Sequence, residues 1–306
     1  MDLVYLWCSY SKERQAKISC WKKRLGLGDS CANVSVRFSS HDELKYSLRS
    51  AEKYLPEVKR VFVITDDERP DWLVDDTDFL RVIDHKDIIP KKYLPTFNSN
   101  VIEMHLHNIP GLSEDFLYMN DDMFMNAELD VCKNYFVKPG MPIYYGRAHG
   151  KKGIDHLFSF DFPHLNSLCY NVWLANSLFG TELSVTPSHG MDAYNKTILK
   201  NLIENSILTS FIRDSLSNKF RQESDIGRHI IMQAAAALGK IKLVEIPDRD
   251  DKICCMFDVM DISKYRKLPK CWQFCINDHD RANAIHYRLM EYWLSAWFPK
   301  KSRYEK

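Results

Sequence analysis

The sequence predicts an α/β fold with a mixed, mostly parallel central sheet flanked by helices. Across the first 145 residues, short apolar runs of strand length alternate with amphipathic stretches of helical period. Such alternation favours parallel strands that are joined by helical crossovers. Polar residues follow one of these runs directly, at Asn120-Asp121-Asp122. Because open α/β sheets bind ligands at the carboxyl ends of their strands, this pattern also predicts where a site would lie.

The strands and helices of this first part can be placed in chain order. Strands are predicted where apolar runs are short and bounded by turn residues, namely at residues 3–7, 61–65, 80–83, 116–119 and 143–145. Helices are predicted at residues 42–54 and 98–108. Ser40 stands just ahead of the first helix, whose first turn would hold Asp42 and Glu43, which suits a helix N-terminus. Pro56 ends that helix.

The rest of the chain is predicted to cover and complete the site. Residues 146–188 are rich in Gly, His, Asn and aromatic residues and indicate loops with short helices. Helices are predicted at 193–216, 225–238 and 280–298, and a returning strand at 241–246. We therefore expect a single catalytic domain over residues 1–306. Its parts would be an α/β core (1–145), a loop-rich and helical insertion that covers the substrate (146–240), and a returning strand with the C-terminal helix (241–306).

Composition and charge argue against several classes of protein. The 42 Lys and Arg residues nearly balance the 41 Asp and Glu residues, so a nucleic-acid partner is not expected. Apolar stretches fall short of the roughly 20 residues that cross a bilayer, and the N-terminus does not resemble a signal peptide. The nine cysteines form no paired C-x-x-C motif, which suits reduced thiols in a cytosolic protein. The sequence contains no Walker, G-x-G-x-x-G, G-x-S-x-G or H-E-x-x-H motif. This argues against a P-loop kinase, a dinucleotide oxidoreductase, an α/β-hydrolase and a zincin.

Two strand-end motifs supply candidate ligands for a divalent cation. Asp121 and Asp122 directly follow an apolar run, and carboxylates of this kind would hold a hard cation that neutralises phosphate charge. The alternative is a solvated turn. Asn277-Asp278 repeats the pattern after another apolar run and would close the same site, with Asp278 as a further ligand. The alternative, a cap for the C-terminal helix, is compatible with that role.

The predicted helix at 98–108 carries further polar candidates. Spacings of three and four would put Asn100, Glu103 and His107 on one helix face. Glu103 would then orient a hydroxyl or act as a base. The alternative is a surface carboxylate that is paired with a neighbour.

His189 and Arg221 are candidates for proton transfer and for phosphate binding. His189 lies in a turn-rich segment ahead of a predicted helix, where an imidazole would be available near neutral pH; the alternative is a capping or surface histidine. Arg221 precedes a helix that Ser224 or Asp225 would open. Its planar fork suits phosphate oxygens, and a helix N-terminus would add anion affinity. The alternative is an ordinary salt bridge with an N-cap.

Taken in order, these segments resemble the four characteristic regions of the Stealth family of sugar-phosphate transferases. The first region resembles Asp2-Leu-Val-Tyr-Leu-Trp7, although Cys8-Ser9-Tyr10 stands where the family usually has Val-Asp-Gly. The second and most specific region matches Arg37-Phe38, residues 42–50, Tyr54, residues 63–66 and 70–73, Asp84-His85, residues 94–100, Glu103, His105 and residues 116–122. The third matches Ser188-His189 and the stretch from Phe220-Arg221 to Asp225-Ile226, and the fourth matches residues 274–278, Phe298-Pro299, Ser302 and Glu305.

The resemblance implies a GT-A-like nucleotide-sugar transferase with a helical C-terminal part. The implied reaction moves a hexose- or N-acetylhexosamine-1-phosphate from a UDP-sugar to a hydroxyl of a glycan or lipid-linked oligosaccharide. A phosphodiester forms and UMP leaves, in capsular or cell-surface polysaccharide synthesis. The family associates with catalysis the positions that are here Glu103, Asp122, His189 and Arg221.

The expected mechanism gives each candidate a role. Asp121, Asp122 and Asp278 would hold Mg²⁺ or Mn²⁺, Arg221 would stabilise the transferring phosphoryl group, and His189 or Glu103 would take the acceptor proton. The residues expected to bind substrate are Arg37, Asn98, Asn100, Asp225 and Asn277. The alternatives are a metal-dependent glycosyltransferase that releases UDP and a non-catalytic sugar-nucleotide-binding protein.

The expected location is the cytoplasm, at the inner face of a bacterial plasma membrane in peripheral association with capsule machinery. A luminal domain of a larger eukaryotic protein is the alternative.

Overall fold

A five-stranded sheet lies at the centre of the computed structural model of this chain. The structure describes residues 1–28, 40–159, 163–247, 252–264, 267–268 and 270–306. Arg37, one of the residues expected to bind substrate, lies outside these described residues. In chain order the strands are β1 (Asp2–Leu6), β2 (Arg60–Thr65), β3 (Leu80–Asp84), β4 (Asp115–Asn120), β5 (Met123–Met125), β6 (Phe136–Lys138), β7 (Met141–Ala148), β8 (Val185–Pro187), β9 (Asp192–Asn195), β10 (Lys242–Pro247), β11 (Cys254–Asp258) and β12 (Gln273–Asn277).

The helices cover the sheet and extend from it. They are α1 (Lys12–Arg24), α2 (Glu43–Tyr54), α3 (His85–Ile88), α4 (Ser99–Glu103), α5 (Val131–Tyr135), α6 (Pro163–Phe179), α7 (Lys196–Glu204), α8 (Thr209–Leu216), α9 (Arg228–Ala237) and α10 (Ala284–Trp297). Among the helices that the structure describes, none has the length and apolarity needed to span a membrane.

The central sheet has the strand order β3-β2-β1-β4-β9. Its first four strands are parallel, and β9 is antiparallel to β4. This confirms the predicted α/β fold with a mixed, mostly parallel sheet. The five strands predicted in the first part are all present, with ends shifted by no more than three residues.

Both faces of the central sheet are buried. Along β1, Val4 packs into one apolar cluster, whereas Leu3 and Tyr5 on the other face pack into a second one. Such burial on both sides is typical of parallel sheets that are covered by helices. Because successive side chains point to opposite faces, the polar residues at the strand ends are left at the edge of the sheet.

The strand order reverses at β1, because β2 and β3 lie on one side of it and β4 on the other. Leu6 pairs in register with Asn120, so the carboxyl ends of β1 and β4 lie side by side. This is the position at which α/β sheets bind their ligands. Asp121 and Asp122 follow immediately.

A three-stranded sheet brings the C-terminal part to the same edge. β12 runs parallel to β11 and antiparallel to β5, with Cys275 opposite Met123. The Ile276 amide donates to the Asp122 carbonyl at 3.1 Å. Asn277 and Asp278 therefore arrive next to the end of β4, as the repeated polar pair predicted.

The predicted helix at 98–108 is wrong beyond Glu103. The His105 amide bonds to the Ile102 carbonyl at 2.9 Å, an i to i+3 bond that tightens the chain. A separate 3₁₀ turn follows at Leu106–Asn108. His107 thereby faces Glu204, at 3.4 Å between Nε2 and Oε1, and the shared face predicted for Asn100, Glu103 and His107 does not form.

The predicted helix at 193–216 is also wrong at its start and interrupted in its middle. Residues Asp192–Asn195 form β9 instead, since they pair with β4 and stack Tyr194 on Phe116 at 5.5 Å between ring centroids. Asn195 then caps α7, with its side-chain oxygen accepting from the Ile198 amide. The region predicted as loops with short helices contains the long helix α6, and α1 was not predicted at all. The division into three parts is not tested by these elements and stays a prediction.

Candidate active site

Asp121 and Asp122 form the turn between β4 and β5. Oδ1 of Asp122 is buried and has no hydrogen-bond partner among the described residues. Burial raises the pKa of Asp122 to about 6, with the nearby Asp278 adding to the shift. Burial, followed by the charges of Asp122 and Glu43, raises the pKa of Asp121 well above its usual range. The turn is thus a site of concentrated negative potential.

Glu43, which sequence reasoning did not select, belongs to the same site. It is the first residue of α2 and only 8% exposed. Burial raises its pKa to about 7, and Asp278 and Asp122 add to the shift. One of its oxygens accepts from the His41 amide. An acid in the first turn of a helix is common, so only its position within the family region could have marked Glu43.

A divalent cation fits this group of carboxylates. Mg²⁺ is usually held by one or two carboxylates together with substrate phosphates and waters. Asp121 and Asp122 supply such a pair, and the unpartnered Oδ1 of Asp122 offers an acceptor. Asp278 lies near Asp122, but its Oδ1 already accepts from the Tyr287 hydroxyl and the His279 amide. Within the described ranges, no three His, Cys, Asp or Glu side chains form a complete ligand set.

The raised pKa of Glu43 predicts how stability depends on pH without added cation. An unfolded glutamate titrates near 4.5 and the folded one at about 7, so between these values the folded state binds more protons. Stability should then fall as pH rises from 5 to 8. We expect Glu43→Gln to reduce this fall, because the amide stays neutral, and thermal melts at each pH would measure it.

The matched control for this prediction is Glu13→Gln. Glu13 also lies in the first turn of a helix, α1, but is exposed. Its replacement should leave the pH dependence of the melting temperature as in wild type. A Glu43→Gln protein with the wild-type pH dependence would contradict the prediction.

His189 lies in the turn between β8 and β9, ahead of a strand and not of the predicted helix. Buried Gln273 on β12 fixes this turn, since its Oε1 accepts from the Met191 amide at 2.9 Å. A Cβ added at Gly190 would lie 2.5 Å from Nε2 of Gln273, so the close approach requires glycine. Nε2 of His189 is 3.3 Å from the Cys275 sulfur.

The environment of His189 keeps its imidazole neutral. Burial lowers its pKa to about 4, and the positive charges of Arg228 and Arg147 contribute. The Cys275 thiol beside it also hydrogen-bonds the Asp122 carboxylate, and burial raises the pKa of that thiol well above its usual range. The His189 imidazole is therefore neutral at neutral pH, and it lies one side chain away from the carboxylate turn.

Glu103 is buried and engaged in contacts. Its Oε1 accepts from the Tyr118 hydroxyl at 3.0 Å and forms an ion pair with Nη1 of Arg228 at 3.1 Å. Nε of Arg228 in turn lies 3.0 Å from Oδ2 of Asp192. The surface alternative for Glu103 is thus wrong. Arg228 and Asp192 were missed because a charged residue in the sequence gives no sign of a buried partner that is distant in the chain.

Arg221 is presented by a loop that Asp225 holds together. Asp225 accepts from the side-chain amides of Asn98 and Asn218, each at 2.7 Å, and from the Gln222 amide at 2.9 Å. Asn98 and Asp225 are both 0% exposed. Each of these two side chains therefore binds protein and presents no surface to solvent.

The guanidinium of Arg221 is half-buried and donates to the Ser99 hydroxyl at the start of α4. Its positive charge acts to lower the pKa of the Tyr118 hydroxyl, which is a hydrogen-bond partner of Glu103. The helix that follows, α9, begins at Arg228 with Gly227 as its N-cap. The prediction that Ser224 or Asp225 opens a helix directly after Arg221 is wrong, because Asp225 instead ties the loop to α4.

The two remaining predicted substrate ligands lie close to these groups. Asn100 is half-buried in α4, and a Cβ added at Gly227 would come within 3.3 Å of its Oδ1. Asn277 ends β12, and its Oδ1 lies 3.6 Å from the Cys275 sulfur. Both side chains are half-buried. Their roles in substrate binding stay predictions.

The segment that departs from the family pattern borders the carboxylate turn. Both the amide and the hydroxyl of Ser9 donate to Glu68, and Ser11 and Arg14 also contact that carboxylate. Burial raises the pKa of Cys8 to about 12, although Arg14 opposes the shift. A carboxylate, Glu68, thus remains next to the position where the family has aspartate.

Comparisons with known proteins agree with these observations. The family model of Stealth protein CR2, conserved region 2, matches residues 37–142. The capsular polysaccharide phosphotransferase fcs1 of Haemophilus influenzae is 32% identical over 94% of this chain and 80% of that protein. The capsular polysaccharide phosphotransferase LcbA of Aeromonas hydrophila is 34% identical over 97% of this chain and 84% of that protein. Among solved structures, galactosyltransferase LgtC in complex with donor and acceptor sugar analogs aligns over 99% of this chain and 98% of that chain, with a TM-score of 0.46 and 10% identity.

Proposed function

The chain belongs to the Stealth family of polysaccharide phosphotransferases, and from this premise we propose that it transfers a sugar-1-phosphate from a UDP-sugar to a glycan hydroxyl. The observation that carries the proposal is the convergence at one sheet edge of the Asp121-Asp122 turn and His189, joined through Cys275. Carboxylates for a cation and a neutral base are what phosphoryl transfer between two oxygens requires.

In the proposed reaction the acceptor oxygen attacks the β-phosphorus, which carries the sugar. A bond forms between that phosphorus and the acceptor oxygen, and the bond to the bridging oxygen breaks. UMP leaves with the bridging oxygen, and the acceptor carries a new phosphodiester. A cation bound by Asp121 and Asp122 would neutralise charge on the diphosphate.

His189 is the better candidate for the base. Oε1 of Glu103 already accepts from the Tyr118 hydroxyl and is paired with the Arg228 guanidinium. Burial keeps the His189 imidazole unprotonated at neutral pH, and Nδ1 is the ring nitrogen that does not contact Cys275. We assign the acceptor proton to Nδ1 of His189 and give Glu103 an anchoring role.

Arg221 would stabilise the phosphoryl group during transfer. Its side chain is held by Ser99 and its loop by Asp225, so the guanidinium is oriented before substrate binds. Donors that are already oriented need little reorganisation when charge develops in the transition state. Asn98 and Asp225 support this arrangement from inside the protein.

The test is to identify the nucleotide that the protein releases. Wild type would be incubated with Mg²⁺, a panel of UDP-sugars and a short capsule-like oligosaccharide, with chromatography of nucleotides and ³¹P NMR of the glycan. We expect UMP and a phosphodiester resonance, both lost with a chelator and restored by Mg²⁺. Release of UDP would show glycosyl transfer instead, and UDP-sugar binding without either product would indicate a non-catalytic binding protein.

A further inference from the structure

Arg228 joins two buried carboxylates that come from different parts of the chain. It is the first residue of α9, and its side chain is 11% exposed. Nη1 lies 3.1 Å from Glu103 on α4, and Nε lies 3.0 Å from Asp192 on β9. Burial lowers the pKa of Arg228, but the two carboxylates together raise it well above its usual range. The guanidinium is therefore a permanent charge in this part of the protein.

The contacts of Arg228 continue to the carboxylate turn. Its guanidinium lies over the Tyr118 ring, 4.8 Å from the centroid. The Tyr118 hydroxyl lies 3.0 Å from Oε1 of Glu103 and 2.9 Å from Oδ1 of Asn120, so these two acceptors share its single proton. Asn120 directly precedes Asp121. A series of contacts thus runs from the start of α9 through Glu103 and Tyr118 to the end of β4.

Arg228 also acts on His189. The groups that face His189 are Cys275 on β12, at 3.3 Å, and the charges of Arg228 on α9 and Arg147 on β7. A cation near an imidazole disfavours its protonated form. The same side chain therefore orders the carboxylate turn and biases the charge state of the proposed base.

Burying an arginine together with two carboxylates is an inefficient way to stabilise a fold. Removing three charged groups from water carries a large desolvation penalty, and apolar residues of similar volume are often as stabilising. Two carboxylates share one guanidinium, and burial raises the pKa of Asp192 to about 6 even though Arg228 opposes the shift. Stability alone therefore does not explain why the three charges are buried together.

We propose that Arg228 is a positioning residue for the transfer reaction, which fixes Glu103 and the end of β4. The inference rests on the proposed function where it takes His189 as the base. The positioning role depends on the two-pronged geometry of the guanidinium, whereas its effect on the pKa of His189 depends on charge alone, so the two can be measured separately.

The test compares Arg228→Gln, Arg228→Lys and the control Arg213→Gln, which changes an exposed arginine on α8. With Gln, we expect kcat to fall on the order of a hundredfold, as for a misplaced reacting group, with the KM for donor little changed. At saturating Mg²⁺, the acid limb of the pH profile should move to higher pH, because the charge that lowers the pKa of His189 is gone. With Lys, the acid limb should stay in place.

We expect Arg228→Lys to lose about tenfold in kcat, because one ammonium cannot reproduce the fork that contacts both carboxylates. Wild-type kcat in Arg228→Lys would overturn the positioning role. A folded Arg228→Gln protein with the wild-type acid limb would overturn the electrostatic role. If Arg228→Gln does not fold, the electrostatic role is tested with Arg228→Lys, which keeps the charge. An acid limb at higher pH in that variant would overturn the electrostatic role.

Failure of the proposed function would be distinguishable from failure of this inference. If wild type releases no UMP, the titration of His189 would be followed by NMR, with its resonance assigned by comparison with His189→Gln. The pKa of His189 should rise in Arg228→Gln and stay low in Arg228→Lys. An unchanged pKa in Arg228→Gln, or a raised one in Arg228→Lys, would overturn the inference whatever the reaction.

Discussion

Replacing His189 by glutamine is expected to lower kcat by about 10²–10⁴-fold, the usual contribution of a positioned general base. The imidazole is neutral at pH 7, since burial lowers its pKa to about 4. Glutamine is similar in size and can keep a polar contact with Cys275, but it cannot accept a proton. The loss should therefore appear in kcat, measured as UMP release, with donor binding retained.

The pH profile gives a second measurement of the same role. A base must be unprotonated, so kcat should fall as pH drops through about 4 to 5 when Mg²⁺ is saturating. Saturating cation is needed because burial also raises the pKa of Asp122 to about 6 and that of Glu43 to about 7. Below those values cation binding weakens, and at low Mg²⁺ the acid limb should move upward.

The matched control is His156→Gln, which makes the same change at an exposed histidine. It should keep wild-type kcat and the wild-type pH profile. If His189→Gln turned over as fast as this control, His189 would not be the base, and Glu103 would have to be tested by Glu103→Gln.

Replacing Arg221 by alanine is expected to lower kcat by about 10²–10³-fold, as for the loss of one preorganised group that stabilises transition-state charge. The side chain is oriented by Ser99, and its loop is fixed by the bonds of Asn98 and Asn218 to Asp225. Because the bonds of Asn98 and Asn218 to Asp225 do not involve the guanidinium, the loop and the fold should survive the change. Single-turnover measurement of UMP release would separate the chemical step from donor binding.

Two further variants define what Arg221 contributes. Arg221→Lys keeps the charge without the fork, so an intermediate rate is expected. Arg213→Ala makes the same truncation at an exposed site on α8 and should behave as wild type. Full turnover by Arg221→Ala would show that Arg221 supports structure only.

The position of the carboxylate turn could be predicted from the sequence. An apolar run followed by Asn120-Asp121-Asp122 places the aspartates at a strand end whatever the neighbouring elements are, because the strand and its turn are contiguous. Because ligands bind at the carboxyl ends of parallel strands, the predicted sheet also marked this strand end as a candidate site. Asn277-Asp278 followed by the same reasoning, and the register of β12 with β5 confirms its approach.

The roles of Asn98, Glu103 and Asp225 depended on contacts that no local pattern reveals. Asn98 and Asp225 bond to each other across widely separated parts of the chain, so two predicted substrate ligands became a support for Arg221. The helix predicted through residue 108 ends at Glu103, because a buried i to i+3 bond replaces the helical one. Propensity is a weak prior, and tertiary packing overrode it here.

The sequence by itself determined the α/β class, the strand-end carboxylates and, through the family resemblance, His189 and Arg221. Only the tertiary structure decided that Glu43 joins the carboxylates and that Arg228 and Asp192 join Glu103. The physical reason is that strand ends follow from contiguous residues, whereas the charge state of a side chain follows from burial and from partners distant in the chain.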